Sequence, residues 1–99
     1  MVVCNSSPLI YLAALDDFHL LHTLFGEITI PQAVFEEVVV AGASFPVARS
    51  VEKANHEWLH VRQVIDSTKT TDLLAIGLDP GESEALALAV EIRAETLLL

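Results

Sequence analysis

Cysteine, positive charge and long apolar runs are scarce in this chain of 99 residues. Cys4 is the only cysteine, which excludes an intrachain disulfide bond and favours the cytoplasm over an oxidising compartment. No apolar run reaches the roughly 18–20 residues of a membrane-spanning helix, and the N-terminus lacks the basic start of a signal peptide. These absences predict a soluble cytoplasmic protein without a membrane anchor.

Lys and Arg together number 5 against 14 Asp and Glu, so the formal net charge is −9. A field of that sign repels nucleic acid and attracts cations or basic partners, although a bound divalent metal can reverse the sign locally. Apolar residues make up 53% of the sequence, which is a high fraction because a domain of this size has only a small interior in which to bury them. We therefore expect exposed apolar surface that a partner covers, most simply a second copy in a homo-oligomer.

Short apolar runs alternate with helical patterns along the chain. Strands are predicted at MVVC, EITI, WLHVRQV and TLLL, with two helices between each strand and the next. Ser7 is the expected N-cap of the first helix, and DPGE is predicted to form a turn before the longest helix, SEALALAVEIRAE. The order of these elements predicts one α/β domain over residues 1–99, built around a parallel sheet.

The letters HEWLH, from His56 to His60, spell the H-E-x-x-H signature of zinc metalloproteases. That signature chelates zinc only on a helix, and here it spans a predicted change from helix to strand. In an extended chain these two histidines would lie roughly 13 Å apart, too far for one zinc ion. His19 and His22, three residues apart on a predicted helix, are interpreted as ordinary, partly exposed side chains. Neither pair is predicted to bind zinc.

Oxygen-bearing side chains gather where predicted strands end and helices begin. Six of them lie in such positions: Asn5, Ser7, Glu36, Glu37, Glu82 and Glu84. In open parallel sheets, binding sites form beyond the carboxyl ends of the strands. At about 100° per residue, Glu37 lies about 60° from the buried position Val34 and Glu36 about 160°, so Glu37 borders the core. The alternative remains open that the acids only stabilise helix N-termini and that Asn5 begins a capping turn.

Three blocks of sequence carry a family resemblance: VVCNSSPLIYLA, IPQAVFEEV and GLDPGESEALALAVE. They resemble successive blocks of the PIN domain, in the branch of PIN-like proteins related to VapC toxins, and together they cover most of the chain. The resemblance implies a three-layer α/β/α sandwich with a central parallel sheet. It also implies Mg²⁺- or Mn²⁺-dependent cleavage of RNA and, in toxin members, a cognate antitoxin that blocks the cleft.

The same resemblance implies a set of site residues. Asn5 stands where the family usually has its first aspartate, and Ser7 matches the small hydroxyl residue two positions on. Glu37 matches the second acid and Glu84 the third, with Glu82 as an accessory. Asn5, Glu37 and Glu84 are the implied metal ligands, and hard divalent cations prefer such oxygen ligands. The neutral amide at position 5 is expected to weaken metal binding.

The chain also departs from the family pattern at its C-terminal end. The family's fourth acid follows the strand that begins at TLLL, and the sequence ends at Leu99. We therefore expect an incomplete domain, without the continuation of the last strand and without the closing helix. Two functions remain open: a PIN-like ribonuclease, the toxin of a toxin–antitoxin pair, or a truncated, non-catalytic protein that acts as an oligomeric binding or assembly module.

Overall fold

The structure is a computed structural model that describes all 99 residues. It contains four strands: β1 (Val2–Cys4), β2 (Ile28–Pro31), β3 (Leu59–Arg62) and β4 (Thr96–Leu98). It contains six α-helices: α1 (Ser6–Ala14), α2 (Leu20–Phe25), α3 (Gln32–Phe35), α4 (Pro46–Ala54), α5 (Thr68–Ala75) and α6 (Pro80–Glu91). A π-helical segment, Glu36–Ala41, directly continues α3.

The four strands form one parallel sheet in the order β3-β2-β1-β4. Val2 of β1 pairs with Ile28 of β2 on one side and with Thr96 of β4 on the other. From β1 the chain builds the sheet outward through β2 to β3, and then crosses back to place β4 on the far side of β1. This reversal of direction is a topological switch point, where open α/β sheets form their binding crevices.

Helices cover both faces of this sheet. Because side chains of a strand alternate between faces, Val2 and Cys4 belong to the larger core while Val3 belongs to the smaller one. The larger core also contains Leu9 of α1, whereas the smaller core contains Leu88 of α6. The predicted α/β/α arrangement around a parallel sheet is therefore confirmed.

The order of strands and helices also follows the sequence prediction, with two helices between successive strands. None of the helices has the combination of length and apolar character that crossing a membrane requires. Large apolar side chains stay exposed on several elements, as the composition predicted. They are Met1, Tyr11, Leu15, Leu24, Phe25, Val40, Phe45, Ile65, Leu74, Ile76, Val90 and Leu99.

The larger core supports the helix that begins at the switch point. Leu9 is fully buried there, whereas Leu15, one residue past the end of the same helix, is 74% exposed. We predict that Leu9→Ala lowers the free energy of unfolding by about 2–5 kcal/mol, because it leaves a cavity in the core. Leu15→Ala, the matched control, should change it by less than about 0.5 kcal/mol. Urea denaturation measures both, and equal effects would contradict the assignment of this core.

Candidate metal site

Asn5 is held at the mouth of the sheet, directly after β1. Its side-chain Oδ1 accepts a hydrogen bond from the backbone N–H of Ser6 at 2.8 Å, so Asn5 is the N-cap of α1. The residue is only 7% exposed. The prediction that Ser7 caps this helix is wrong: the helix begins two residues earlier than predicted, at Ser6, and Ser7 lies half-buried within its first turn.

Glu37 reaches the same region from the π-helical segment. It is exposed, and with Glu36 it lines a cleft of about 640 Å³ between this segment and the start of α6. The Glu36 carboxylate turns back along the helix, where its Oε1 accepts a hydrogen bond from the Gln32 side chain at 3.4 Å. The π-helix was not predicted, because periodicity arguments assume the tighter α-helical turn.

Gly81, in the first turn of α6, marks the point where the two sides of the cleft meet. A Cβ atom placed on Gly81 would lie 2.9 Å from Oε1 of Glu37. The same position is 3.5 Å from Oδ1 of Asn5 and 3.5 Å from Oδ1 of Asp79. Three side-chain oxygens from three parts of the sequence therefore surround a space that only a glycine leaves free.

Asp79 and Gly81 were missed by the sequence reasoning. The DPGE segment was interpreted as a turn, but Asp79 is the N-cap of α6 and Pro80 is its first residue. Oδ1 of Asp79 accepts a hydrogen bond from the backbone N–H of Glu82 at 2.8 Å. The sequence did contain a signal for this helix start, because an aspartate followed by a proline is a typical N-cap and first helical residue.

Glu84 performs a structural task that the sequence did not indicate. Its Oε1 accepts a hydrogen bond from the backbone N–H of Ala33 at 3.0 Å, and Ala33 lies in the first turn of α3. A carboxylate at this position stabilises the N-terminus of a helix. Glu84 therefore ties α6 to the helix whose continuation carries Glu37. Asn5, Ser7 and Glu84 are not among the residues that line the cleft, although Oδ1 of Asn5 approaches Gly81.

Negative charge is concentrated around the start of α6. The pKa of Glu82 is raised, first by a hydrogen bond with the side chain of Asp79 and then by repulsion from that carboxylate, with a smaller contribution from Glu37. Like charges in one place disfavour ionisation. A bound cation would relieve this repulsion, so the raised pKa is consistent with a cation site.

The donors fit a hard divalent cation, although no group of three Asp, Glu, His or Cys side chains is arranged to hold a metal ion. Mg²⁺ is usually held by one or two carboxylates and keeps several of its waters. The carboxylates of Glu37 and Asp79 and the amide oxygen of Asn5 supply such a set. This set differs from the one implied by the resemblance in that it contains Asp79, whereas Glu84 accepts a hydrogen bond from the backbone of Ala33.

The predicted change from helix to strand within the HEWLH segment is confirmed. Helix α4 ends at Ala54, His56 has a left-handed backbone conformation with φ of 71°, and His60 lies on β3. His60 forms a hydrogen bond with the carboxylate of Glu27 at 2.9 Å. The motif therefore spans the end of a helix and the start of a strand.

The other histidine pair packs against an aromatic ring. His22 stacks on Trp58 with 5.1 Å between the ring centroids, and its Nδ1 donates a hydrogen bond to the carbonyl of Gly26 at 2.8 Å. His19 meets the edge of the His22 ring at 5.3 Å. In the structure, His19 and His22 therefore serve as packing residues.

Cys4 cannot serve as a nucleophile at neutral pH. It is fully buried in β1, and burial raises the pKa of its thiol to about 12. The thiol is therefore not a candidate nucleophile for this site.

A family model described as a PIN domain matches residues 1–99. The chain belongs to the PIN domain family. No curated protein and no solved structure gave a match. PIN domains are nuclease-like and generally use divalent metal ions, which agrees with the oxygen donors that this PIN domain brings together around Gly81.

The position of Gly81 gives a direct test of the site geometry. In Gly81→Ala the added methyl group meets the flexible carboxylate of Glu37, which must turn away. We predict that the affinity for Mn²⁺ falls about tenfold, equivalent to about 1.4 kcal/mol. The free energy of unfolding should stay the same or rise by up to about 1 kcal/mol, because alanine is the better helix former. Calorimetric titration and thermal unfolding measure the two effects, and unchanged Mn²⁺ affinity would contradict the geometry.

Proposed function

We propose that this PIN domain is a divalent-metal-dependent endoribonuclease whose metal ion is held by Asn5, Glu37 and Asp79. The observation that supports the proposal best is the convergence of these three oxygens around Gly81 at the switch point of the sheet. The adjoining cleft of about 640 Å³ is within the size range of ligand-binding clefts.

Each of the three residues contributes a defined oxygen. Oδ1 of Asn5 and Oδ1 of Asp79 each accept one capping hydrogen bond, and each keeps a second lone pair for a ligand. The carboxylate of Glu37 caps no helix, so both of its oxygens remain for a ligand. A divalent cation held there would supply Lewis-acid stabilisation of the charge that develops on a phosphodiester during hydrolysis. Glu84 then acts as a positioning residue, because it fixes α3 against α6.

We further propose that the chain is the toxin of a toxin–antitoxin pair. The resemblance to the branch related to VapC toxins supports this, as do the exposed apolar side chains that a protein partner would cover. Helix α5 is notable here, since none of its residues is buried. We also propose that the chain forms a homo-oligomer, in which copies associate through these exposed apolar side chains.

A second candidate is a non-catalytic binding or assembly module. The observation that favours it is that no three acidic, histidine or cysteine side chains are arranged around a metal position. Glu84, the third acid implied by the resemblance, has one carboxylate oxygen engaged with the backbone of Ala33. The two candidates differ in whether the protein cleaves RNA when a divalent metal is supplied.

Glu37→Gln distinguishes these candidates. We predict Mg²⁺- or Mn²⁺-dependent cleavage of single-stranded RNA by the wild type and a loss of more than about tenfold in Glu37→Gln, since even changes beyond the direct metal ligands cost about 10- to 100-fold. Glu57→Gln removes the same charge from an exposed residue outside the cleft, and it should retain most of the activity. Gel-based cleavage assays with EDTA controls measure this. No metal-dependent cleavage by the wild type would favour the binding module.

A paired comparison separates the roles of Glu84 and Asp79. In Glu84→Gln and Asp79→Asn the new amide oxygen can still accept the capping hydrogen bond, so both variants should fold. We predict that Asp79→Asn weakens Mn²⁺ binding about tenfold, while Glu84→Gln weakens it less than about threefold. Calorimetric titration with Mn²⁺ measures both. The reverse order would restore Glu84 as the metal ligand implied by the resemblance.

A further inference from the structure

An apolar pocket adjoins the cleft of the candidate site. It has a volume of about 330 Å³ and shares two residues with the cleft, Glu37 and Ala41. Its remaining walls come mostly from Ile10, Val38, Phe45 and Val47. Because Glu37 stands on the boundary, a phosphodiester placed at the candidate site would have a neighbouring nucleoside next to this apolar pocket.

Phe45 lines the apolar pocket and is the residue that precedes α4. It is 64% exposed, and no other aromatic ring stacks on it. An exposed phenyl ring beside an apolar pocket offers a flat surface on which a nucleobase can stack. Stacking on aromatic side chains is the usual way in which proteins hold the unstacked bases of single-stranded RNA.

A second groove, of about 550 Å³, begins on the other side of Phe45 and Pro46. It is lined by Arg49 and Lys53, which lie four residues apart on the exposed side of α4. Neither cation forms an ion pair, although the chain contains 14 acidic residues. We call this second groove the α4 groove.

The α4 groove differs in charge from the rest of the molecule. Asp16 and Glu52 also line it, so its two acids balance its two cations in a chain whose net charge is −9. Arg49 and Lys53 are two of only five Lys and Arg residues. A polyanion that reaches the candidate site therefore meets less repulsion along the α4 groove than over the average surface.

We propose that the apolar pocket and the α4 groove form the binding track for the single-stranded RNA substrate. The base beside the scissile phosphate stacks on Phe45, and the next phosphate along the strand contacts Arg49 and Lys53. The track rests on the proposed function, since the candidate metal site fixes where the scissile phosphate lies. A nucleobase with a phosphate suits this surface better than an apolar peptide does, because the pocket shares Phe45 and Pro46 with the groove that Arg49 and Lys53 line.

RNA binding measured separately from cleavage tests this proposal. The probe is a short fluorescent single-stranded RNA, its affinity is measured by fluorescence anisotropy with Mg²⁺ present, and a gel confirms that the strand stays intact. Phe45→Ala should weaken binding by about 5- to 100-fold, the usual loss for one stacked base, while Phe45→Trp should retain it. Phe25→Ala removes an exposed phenyl ring from α2, away from the track, and should have no effect. Circular dichroism confirms that the variants fold.

The salt dependence of binding tests the cationic part of the track. Arg49→Ala and Lys53→Ala should each reduce the slope of log affinity against log salt concentration by about 0.7, the value for one phosphate contact on a single strand. Arg93→Ala, which removes a cation outside the track, should leave the slope unchanged. Unchanged affinity in Phe45→Ala together with unchanged slopes would overturn the proposal.

The outcomes also separate this proposal from the proposed function and from a protein-binding role. If the wild type shows no metal-dependent cleavage but the Phe45 and Arg49 variants lose RNA affinity, the track stands and the nuclease proposal fails. If cleavage occurs and the variants bind RNA like the wild type, the track fails alone. If Phe45→Ala leaves RNA binding intact but abolishes self-association in sedimentation experiments, the apolar pocket is a protein contact and the track is wrong.

Discussion

The close approach of Glu37 to Gly81 is the constraint on which the candidate site depends. Any side chain at position 81 would occupy the space between Glu37, Asn5 and Asp79. Gly81 is not needed for backbone conformation, since it lies within the regular first turn of α6. Its role is steric, because it allows the π-helical segment and the start of α6 to bring their oxygens together.

Helix capping places the oxygens of this site. Asn5 caps α1, Asp79 caps α6, and Glu84 caps α3 from a neighbouring helix. These three helices begin near the same edge of the sheet, so the caps converge there as a consequence of the topology. Glu37 is the exception, because its carboxylate caps no helix. The site thus combines structurally fixed oxygens with one free carboxylate, and the fixed ones lose little conformational entropy when they bind a ligand.

The sequence predicted the fold well, because the signals for it are local. Apolar strands and two-helix connections specify a parallel sheet, and a parallel sheet specifies where Asn5 and the start of α6 must meet. The sequence predicted that Glu37 borders the core side of the helix and that Glu36 faces solvent, but in the structure both side chains are exposed and both line the cleft. They differ instead in that Glu36 accepts a hydrogen bond from Gln32. The argument against a zinc site at His56 and His60 depended on the same local reasoning, and the change from helix to strand that it assumed is present in the fold.

The approach of Asp79 to Gly81 and the contact of Glu84 with Ala33 could not be predicted from the sequence. The resemblance implies Glu84 as a metal ligand, and that stays a prediction, but hydrogen bonds between helices such as this one are visible only in three dimensions. The spacing of residues along one helix does not indicate which contacts they make with another helix. The π-helical segment was not predicted for a related reason. Tertiary packing, rather than local propensity, determines where a helix widens.

Anomalous X-ray scattering from crystals soaked in Mn²⁺ tests the central claim most directly, because it locates the metal ion without any assay of activity. We predict one strong peak within coordinating distance of Glu37, with oxygens of Asn5 and Asp79 around it. A peak bound by Glu84 but remote from Asp79, or no peak in the cleft at saturating Mn²⁺, would contradict the claim that these three side chains form a metal site.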